Sequence, residues 1–331
     1  MISFRFHVVS ITAIFLAIAI GIVVGTTYVD GAVVDALRSQ IDNVEENLAD
    51  RRAENDRLER ELGLAQAYID STSDFAVTNR LVDVPVLLVA TRGIDEASVT
   101  TMAELTQQAG GVTPGVVWLE DRWELGSDDD RDALAAIIDG DPTDEVSDLR
   151  AAAWAAVMEE LAEVDDVVAS PPDPTTGETT TTTTAPDPPA SVLEPLEEAG
   201  FLAVDALEPQ NATLADLAGS APRIILVTGT AAEPGPATLV PVIVDASVSG
   251  GLPTVVADVY VDDPEGPDRG DALLEVLPEA RLEQIIVIDH GDRPEGQVAS
   301  VLALDVVADG AFGHYGYGDG SAGVTPAWTP L

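Results

Sequence analysis

The chain has 331 residues and a formal net charge of −44, from 59 acidic residues against 15 basic ones. Every basic side chain is arginine, so the surface repels polyanions, and binding to nucleic acid or anionic lipid headgroups is disfavoured. Cysteine is absent, which removes disulfides, thiolate metal ligands and thiol chemistry and leaves a hydrophobic fraction of 46% to build the core.

Residues 1–7 form a short head carrying Arg5 and His7. Residues 8–29, VVSITAIFLAIAIGIVVGTTYV, are uncharged. At ~1.5 Å per residue such a helix crosses a hydrocarbon layer of ~30 Å. A cleaved signal peptide has an apolar region of only ~7–15 residues before its small-x-small site. Here Ala17-Ile18-Ala19 is followed by more apolar sequence, IGIVVG, so the run predicts an uncleaved signal anchor. Arg5 and His7 precede it, Asp30 and Asp35 follow it, and the first downstream basic residue is Arg38. The positive flank predicts a cytoplasmic N-terminus and an extracytoplasmic remainder on a single-pass membrane protein.

Residues 30–74 carry a heptad ladder. Val34, Leu37, Ile41, Val44, Leu48, Leu58, Leu62, Ala65 and Ile69 alternate spacings of three and four, with Arg51 and Asn55 in the two remaining slots. This is the seam of a coiled coil. Asn55 falls at an a position, where a buried amide favours a two-stranded, in-register pair. In a parallel homodimer Glu54 would face Glu59 of the second copy, and Arg51 is a poor core residue. The ladder therefore predicts either a homodimer or a heteromeric coiled-coil partner.

From residue 75 the period changes. VPVLLVATRG (84–93), an amphipathic stretch (95–109), Gly110-Gly111 and GVVWLE (115–120) read as strand, helix, stop and strand. Helical stretches follow at 130–139 and 145–164. Four further apolar runs are FLAVDA (201–206), RIILVTG (223–229), PTVVADVYV (253–261) and EQIIVIDH (283–290), with helical stretches at 238–248 and 297–307 among them. Runs that are apolar throughout predict a parallel sheet buried on both faces, a Rossmann-like or flavodoxin-like α/β domain over 75–169 and 191–331. Residues 170–190, PPDPTTGETTTTTTAPDPPA with its flanking Ser, cannot build a core and predict a disordered Thr/Pro-rich insertion. Thr179 to Thr184 are candidate sugar acceptors.

The metal candidate is Asp289-His290-Gly291-Asp292 at the C-terminal end of the EQIIVID run, the edge where parallel sheets place their sites. His314 could complete an imidazole pair. The turn Gly229-Thr230-Ala231-Ala232 occupies a similar edge without a basic residue, and Asp262, Asp263, Glu265 and Asp268 form an acidic loop that matches no calcium motif. No Ser/His/Asp or paired-carboxylate arrangement stands out, so neither an enzyme nor a bound cofactor is expected; the anchor and heptads point to a coiled-coil interaction module, and the strand-end loops leave an α/β small-ligand-binding module as an alternative. At the C-terminus, Gly313, His314, Tyr315, Gly316, Tyr317 and Gly318 form a glycine–aromatic tail that follows a helix and opens nothing. It should pack on the domain, its glycines allowing close approach while Tyr315 and Tyr317 bury their rings.

The anchor opening with MISFRFHVVS, the heptads, the α/β region and above all GHYGYG resemble the actinobacterial MctB family of copper transport outer-membrane proteins, which includes the corynebacterial relative SteB. The likeness covers nearly the whole chain outside the Thr/Pro insertion. It implies either copper export or a membrane-anchored partner of the cytoplasmic protein SteA, which controls cell-wall hydrolases during cell separation. Copper is implied by the resemblance alone. One span and strands apolar on both faces do not make a pore, and Met1, Met102 and Met158 are scattered where Cu(I) would ask for clustered sulfur.

Overall fold

The computed structural model describes residues 4–162, 191–261 and 266–327. The Thr/Pro-rich insertion and Asp262, Asp263 and Glu265 lie outside the described residues, and for residues 26–34 and 70 only the helical backbone is described. The chain divides into two compact units, Met1–Ala67 and Tyr68–Leu331.

Helix α1 runs from Phe4 to Val77. No proline precedes Pro85, so nothing removes a rung from its hydrogen-bond ladder. Its Phe4–Gly25 segment is long and apolar enough to cross a membrane, and among the described residues it is the one helix that is. Further along, the seam residues Leu37, Ile41, Val44, Leu48, Leu58 and Leu62 are each between 45% and 57% exposed. Asn55 and Ala65 are exposed and Ile69 is half-buried; the side chain of Val34 lies outside the described residues. A single chain leaves this stripe uncovered.

The second unit alternates strands and helices. Its elements are β1 (Val86–Thr91), α2 (Glu96–Gln108), β2 (Val116–Leu119), α3 (Asp128–Ile137), α4 (Val146–Leu161), α5 (Leu193–Glu198), β3 (Leu202–Asp205) and β4 (Arg223–Thr228). Then come α6 (Pro236–Ser249), β5 (Thr254–Asp258), α7 (Asp271–Val276), α8 (Glu279–Leu282), β6 (Ile286–Ile288), α9 (Pro294–Ala308) and β7 (Gly313–Tyr315). Local chemistry sets several boundaries. Asp95 caps α2 by accepting from Ser98 N, Ser127 caps α3 by accepting from Asp130 N, and proline opens α6 and α9, where its missing N–H costs nothing.

All seven strands join one sheet in the order β3-β2-β1-β4-β5-β6-β7. Every pairing is parallel except β2 with β3. The expected parallel sheet is present, with one antiparallel strand at its edge. FLAVDA forms the antiparallel β3, and its outward residues are only partly buried because no neighbour lies beyond it. In contrast β1, β5 and β6 are buried at every position, as strands covered on both faces must be. Alternate residues feed two cores. Leu87, Val89, Leu226 and Val256 point to the side packed by α3, α4 and α6, whereas Leu88, Ala90, Val227 and Val255 point to α2 and α9. The tail joins the same sheet: Gly313–Tyr315 pairs in parallel with β6 as a seventh strand.

Strands on both sides of residues 163–190 share this sheet, and Glu160 anchors the return of the chain. Its carboxylate accepts from Ser191 Oγ (2.7 Å), Val192 N (2.7 Å) and Leu193 N (3.0 Å). Nearby, Trp123 stacks on Trp154 at 5.2 Å and meets Phe201 edge-on at 5.4 Å, while its Nε1 donates to Phe201 O. Replacing Trp123 with Ala opens a void under the sheet and leaves that carbonyl with the backbone N–H of Glu120 as its remaining donor. The expected cost is about 3–5 kcal/mol, measurable by chemical denaturation followed by tryptophan fluorescence.

Candidate functional site

In a doubly wound sheet of this order, ligands are expected where the strand order reverses, here between β1 and β4. That crevice is filled by the protein's own backbone. Gly93 (φ +85°) packs so closely on Ala231 O that a Cβ there would overlap it, Gly229 does the same against Val259 O, and Glu233 N donates to Arg92 O (2.8 Å). The turn Gly229-Thr230-Ala231-Ala232 is thus consumed by loop–loop packing.

The polar chemistry gathers instead at the C-terminal ends of β5, β6 and β7. β5 delivers Asp258, the turn between β6 and α9 delivers Asp289, His290, Asp292 and Arg293, β7 delivers His314, and Arg269 arrives just before α7. Asp289 is fully buried. Its carboxylate accepts from His314 Nε2 (2.7 Å), Tyr317 N (2.9 Å) and Gly318 N (2.7 Å). Burial alone would raise its pKa. The neighbouring His290 and His314 rings and the two backbone N–H groups outweigh it, and the carboxyl is held well below the usual carboxylate range.

This explains the glycines of the tail. A Cβ on Gly316, whose φ is +144°, would overlap Asp289 Oδ1, and one on Gly318 would overlap Arg269 O. The backbone must come this close for its N–H groups to reach the carboxylate. The tail then folds over its own edge strand, with Ala322 N donating to His314 O and Gly316 N to Gly323 O, both at 2.8 Å. The expectation for the tyrosine rings is corrected. Tyr315 is half-buried, and Tyr317 is 49% exposed with its hydroxyl on Glu295 (3.0 Å), because the buried group at the centre is a carboxylate rather than a ring.

The four candidate metal ligands do not converge. Asp289 and His314 are paired, His290 Nδ1 stands 3.5 Å from Asp289 Oδ1, and Asp292 turns away to Arg269, which grips it in two contacts of 2.5 and 3.1 Å. Among the described residues no group of three or more His, Asp or Glu side chains is placed to hold a metal ion. The reason is chemical: N–H donors already occupy the lone pairs of Asp289.

The complete burial of two groups here was not legible in the sequence. Asp258 is 1% exposed, and neither carboxylate oxygen has a hydrogen-bond partner of good geometry; both ring nitrogens of the fully buried His290 are likewise unpaired. Burial pushes Asp258 up to about 7, against the pull of Arg269 and with the help of repulsion from Asp289 and Asp292. Arg269 holds its charge between these carboxylates despite partial burial. The only sequence signal for Asp258 was a carboxylate ending an apolar strand, VVAD.

Three coarse features now define the class of protein: a Rossmann-like α/β sandwich, a single apolar N-terminal helix, and a glycine-clasped carboxylate at the sheet edge. The chain belongs to the family described as "Copper transport outer membrane protein, MctB", which it matches over residues 1–326. It is similar to proteins named "Copper transporter MctB" from Mycobacterium bovis and Mycobacterium tuberculosis. Each is 24% identical over 336 aligned residues, covering 98% of this chain and 99% of the relative.

Two tests follow from the geometry. Gly316→Ala should release the tail from Asp289, seen as faster amide exchange at Tyr317 and Gly318, while amides of β4 and β5 stay protected. Asp258 has a folded pKa above its unfolded value of 3.8, so folding takes up a proton between 3.8 and about 7. Stability therefore falls as pH rises through that window, and the full cost is present above it. Asp258→Asn should remove this slope and raise the folding stability at pH 8, by up to about 4 kcal/mol if the whole shift is relieved. Unchanged slopes would show that Asp258 does not titrate in this range.

Proposed function

We propose that this chain is a single-span envelope protein whose juxtamembrane helix and extracytoplasmic α/β domain act as a non-enzymatic interaction module. The observation that carries the reading is the seam on α1, where six large apolar side chains at heptad spacing remain about half exposed. Such a stripe on a charged helix is stabilised when a second helix covers it. The occupant favoured is a second copy, in parallel. Two copies entering the same membrane in the same orientation present their helices side by side, and Ala13, Ala17, Gly21 and Gly25 recur every fourth residue of the span. Arg5 and His7 before the span and the acidic residues after it support a domain outside the cytoplasm. A role in cell separation beside a SteA-like partner is the cellular form this module takes in the reading.

The second reading is copper transport, favoured by the family description and by the name of the relatives. The described methionines speak against a Cu(I) site in this chain. Met102 is fully buried and Met158 is 2% exposed, so both thioethers serve the core.

Replacing Leu58 and Leu62 with Asp should abolish self-association of the full chain in detergent, measured by analytical ultracentrifugation, while the circular dichroism of the α/β domain is kept. Each change places a carboxylate in an apolar seam, a cost of several kcal/mol, roughly what a short coiled coil has to spend. Asn55→Leu should tighten pairing and loosen strand number. In cells, the double variant should lose function if the module reading holds. Normal cell separation together with retained copper tolerance would overturn it, and copper sensitivity from His290→Ala would shift the function to metal handling.

A further inference from the structure

A cavity of about 590 Å³ opens at the same sheet edge, walled by Tyr260, Arg269, Asp292, Arg293 and Tyr317. Its size suits a small molecule, and it lies beyond the C-terminal ends of parallel strands, where α/β sheets hold ligands. The charges facing it fall into two groups. Arg269 and Asp292 satisfy each other in a two-contact pair, and Arg269 also donates to Asp289 O (2.9 Å) and lies 4.4 Å over the Tyr260 ring. That pair is a finished wall. Arg293 is held more loosely: it rests 5.0 Å over the Tyr317 ring, and its closest carboxylate oxygen, on Asp292, is 3.8 Å away. Asp268 and Asp319 also line the cavity, are exposed, and make no side-chain hydrogen bond or ion pair among the described residues.

The cavity therefore presents one available guanidinium fork and two available carboxylates beside exposed aromatic surface. A purely anionic ligand would meet Asp268 and Asp319 as well as the field of a chain at −44. A purely cationic ligand would meet Arg293 and Arg269. An apolar one would strip water from all of these groups and return nothing. A ligand with separated opposite charges answers each group in turn, since guanidinium matches carboxylate in a two-pronged contact and carboxylates match ammonium. We propose that this cavity binds a zwitterionic ligand, an α-amino acid or a short peptide with both ends free, its carboxylate on Arg293 and its ammonium on Asp268 and Asp319. Tyr260 and Tyr317 flank the ligand's side chain. The site uses no residue of α1 and stands independently of the coiled-coil reading.

The test is calorimetric titration of the full chain in detergent with alanyl-alanine, with N-acetyl-alanyl-alanine amide, and separately with phosphate, spermidine and glucose. Alanyl-alanine should bind, and the end-blocked peptide should bind at least about tenfold more weakly, a difference of roughly 1.4 kcal/mol. Arg293→Gln and the paired Asp268→Asn and Asp319→Asn change should each weaken binding to a similar degree at unchanged melting temperature. No binding of the free dipeptide at millimolar concentration, equal binding of the blocked one, or binding of phosphate, spermidine or glucose in its place overturns the proposal. The comparison of free and blocked peptide needs no variant, so it decides even if the substitutions disturb folding.

Discussion

The C-terminal half of the α/β domain is organised around one buried carboxylate. Asp289 follows the short strand β6 into the interior, where an unpaired charge would cost several kcal/mol. It stays ionised because an imidazole and two consecutive backbone N–H groups converge on it. Those N–H groups reach it only if the chain passes within van der Waals range, which requires glycine at 316 and 318. Once the tail is held there, β7 pairs with β6 and the final turn covers the edge. An edge strand that would otherwise offer open hydrogen-bonding groups is thereby closed by the chain itself.

The same arrangement moves the polar centre of the domain away from the place its topology would suggest. At the reversal between β1 and β4 the loops touch backbone to backbone, leaving no room for the phosphates that such crevices hold in nucleotide-binding relatives of the fold. Three strands along, Asp258, Asp289, Asp292, Arg269 and two histidines are packed together. Asp258 is held near neutrality beside an ionised Asp289, a separation of neighbouring carboxylates that folded proteins keep at a cost in stability. Fold likeness alone would have pointed to a different position along the same sheet edge.

The α1 unit obeys different physics. Its first part is a continuous helix long and apolar enough to cross a membrane, and its second part shows water a stripe of Leu, Ile and Val. Neither surface is satisfied by the chain alone. A membrane fits the first, and the proposed second helix fits the other.

Periodicity and composition were enough to determine the coarse plan. An uncharged run, a three-and-four ladder and strands apolar at every position each report a solvent environment that repeats along the chain, so the apolar helix and the buried sheet were legible from residue order. Contacts between residues distant in sequence were not. The antiparallel setting of β3 depends on which neighbour its few residues find, and a four-residue run such as LAVD carries no signal for direction. The tail reads as glycine and tyrosine, and sequence reasoning chose the rings as the buried groups. Only the fold brings Gly316 and Gly318 against Asp289, about thirty positions away on another strand, and so makes a carboxylate the centre. Equally, Asp289, His290, Asp292 and His314 look like one ligand set by residue type. The fold turns Asp292 to Arg269 and fills the lone pairs of Asp289 with N–H donors, because hydrogen-bond satisfaction is decided by three-dimensional neighbours and not by spacing along the chain.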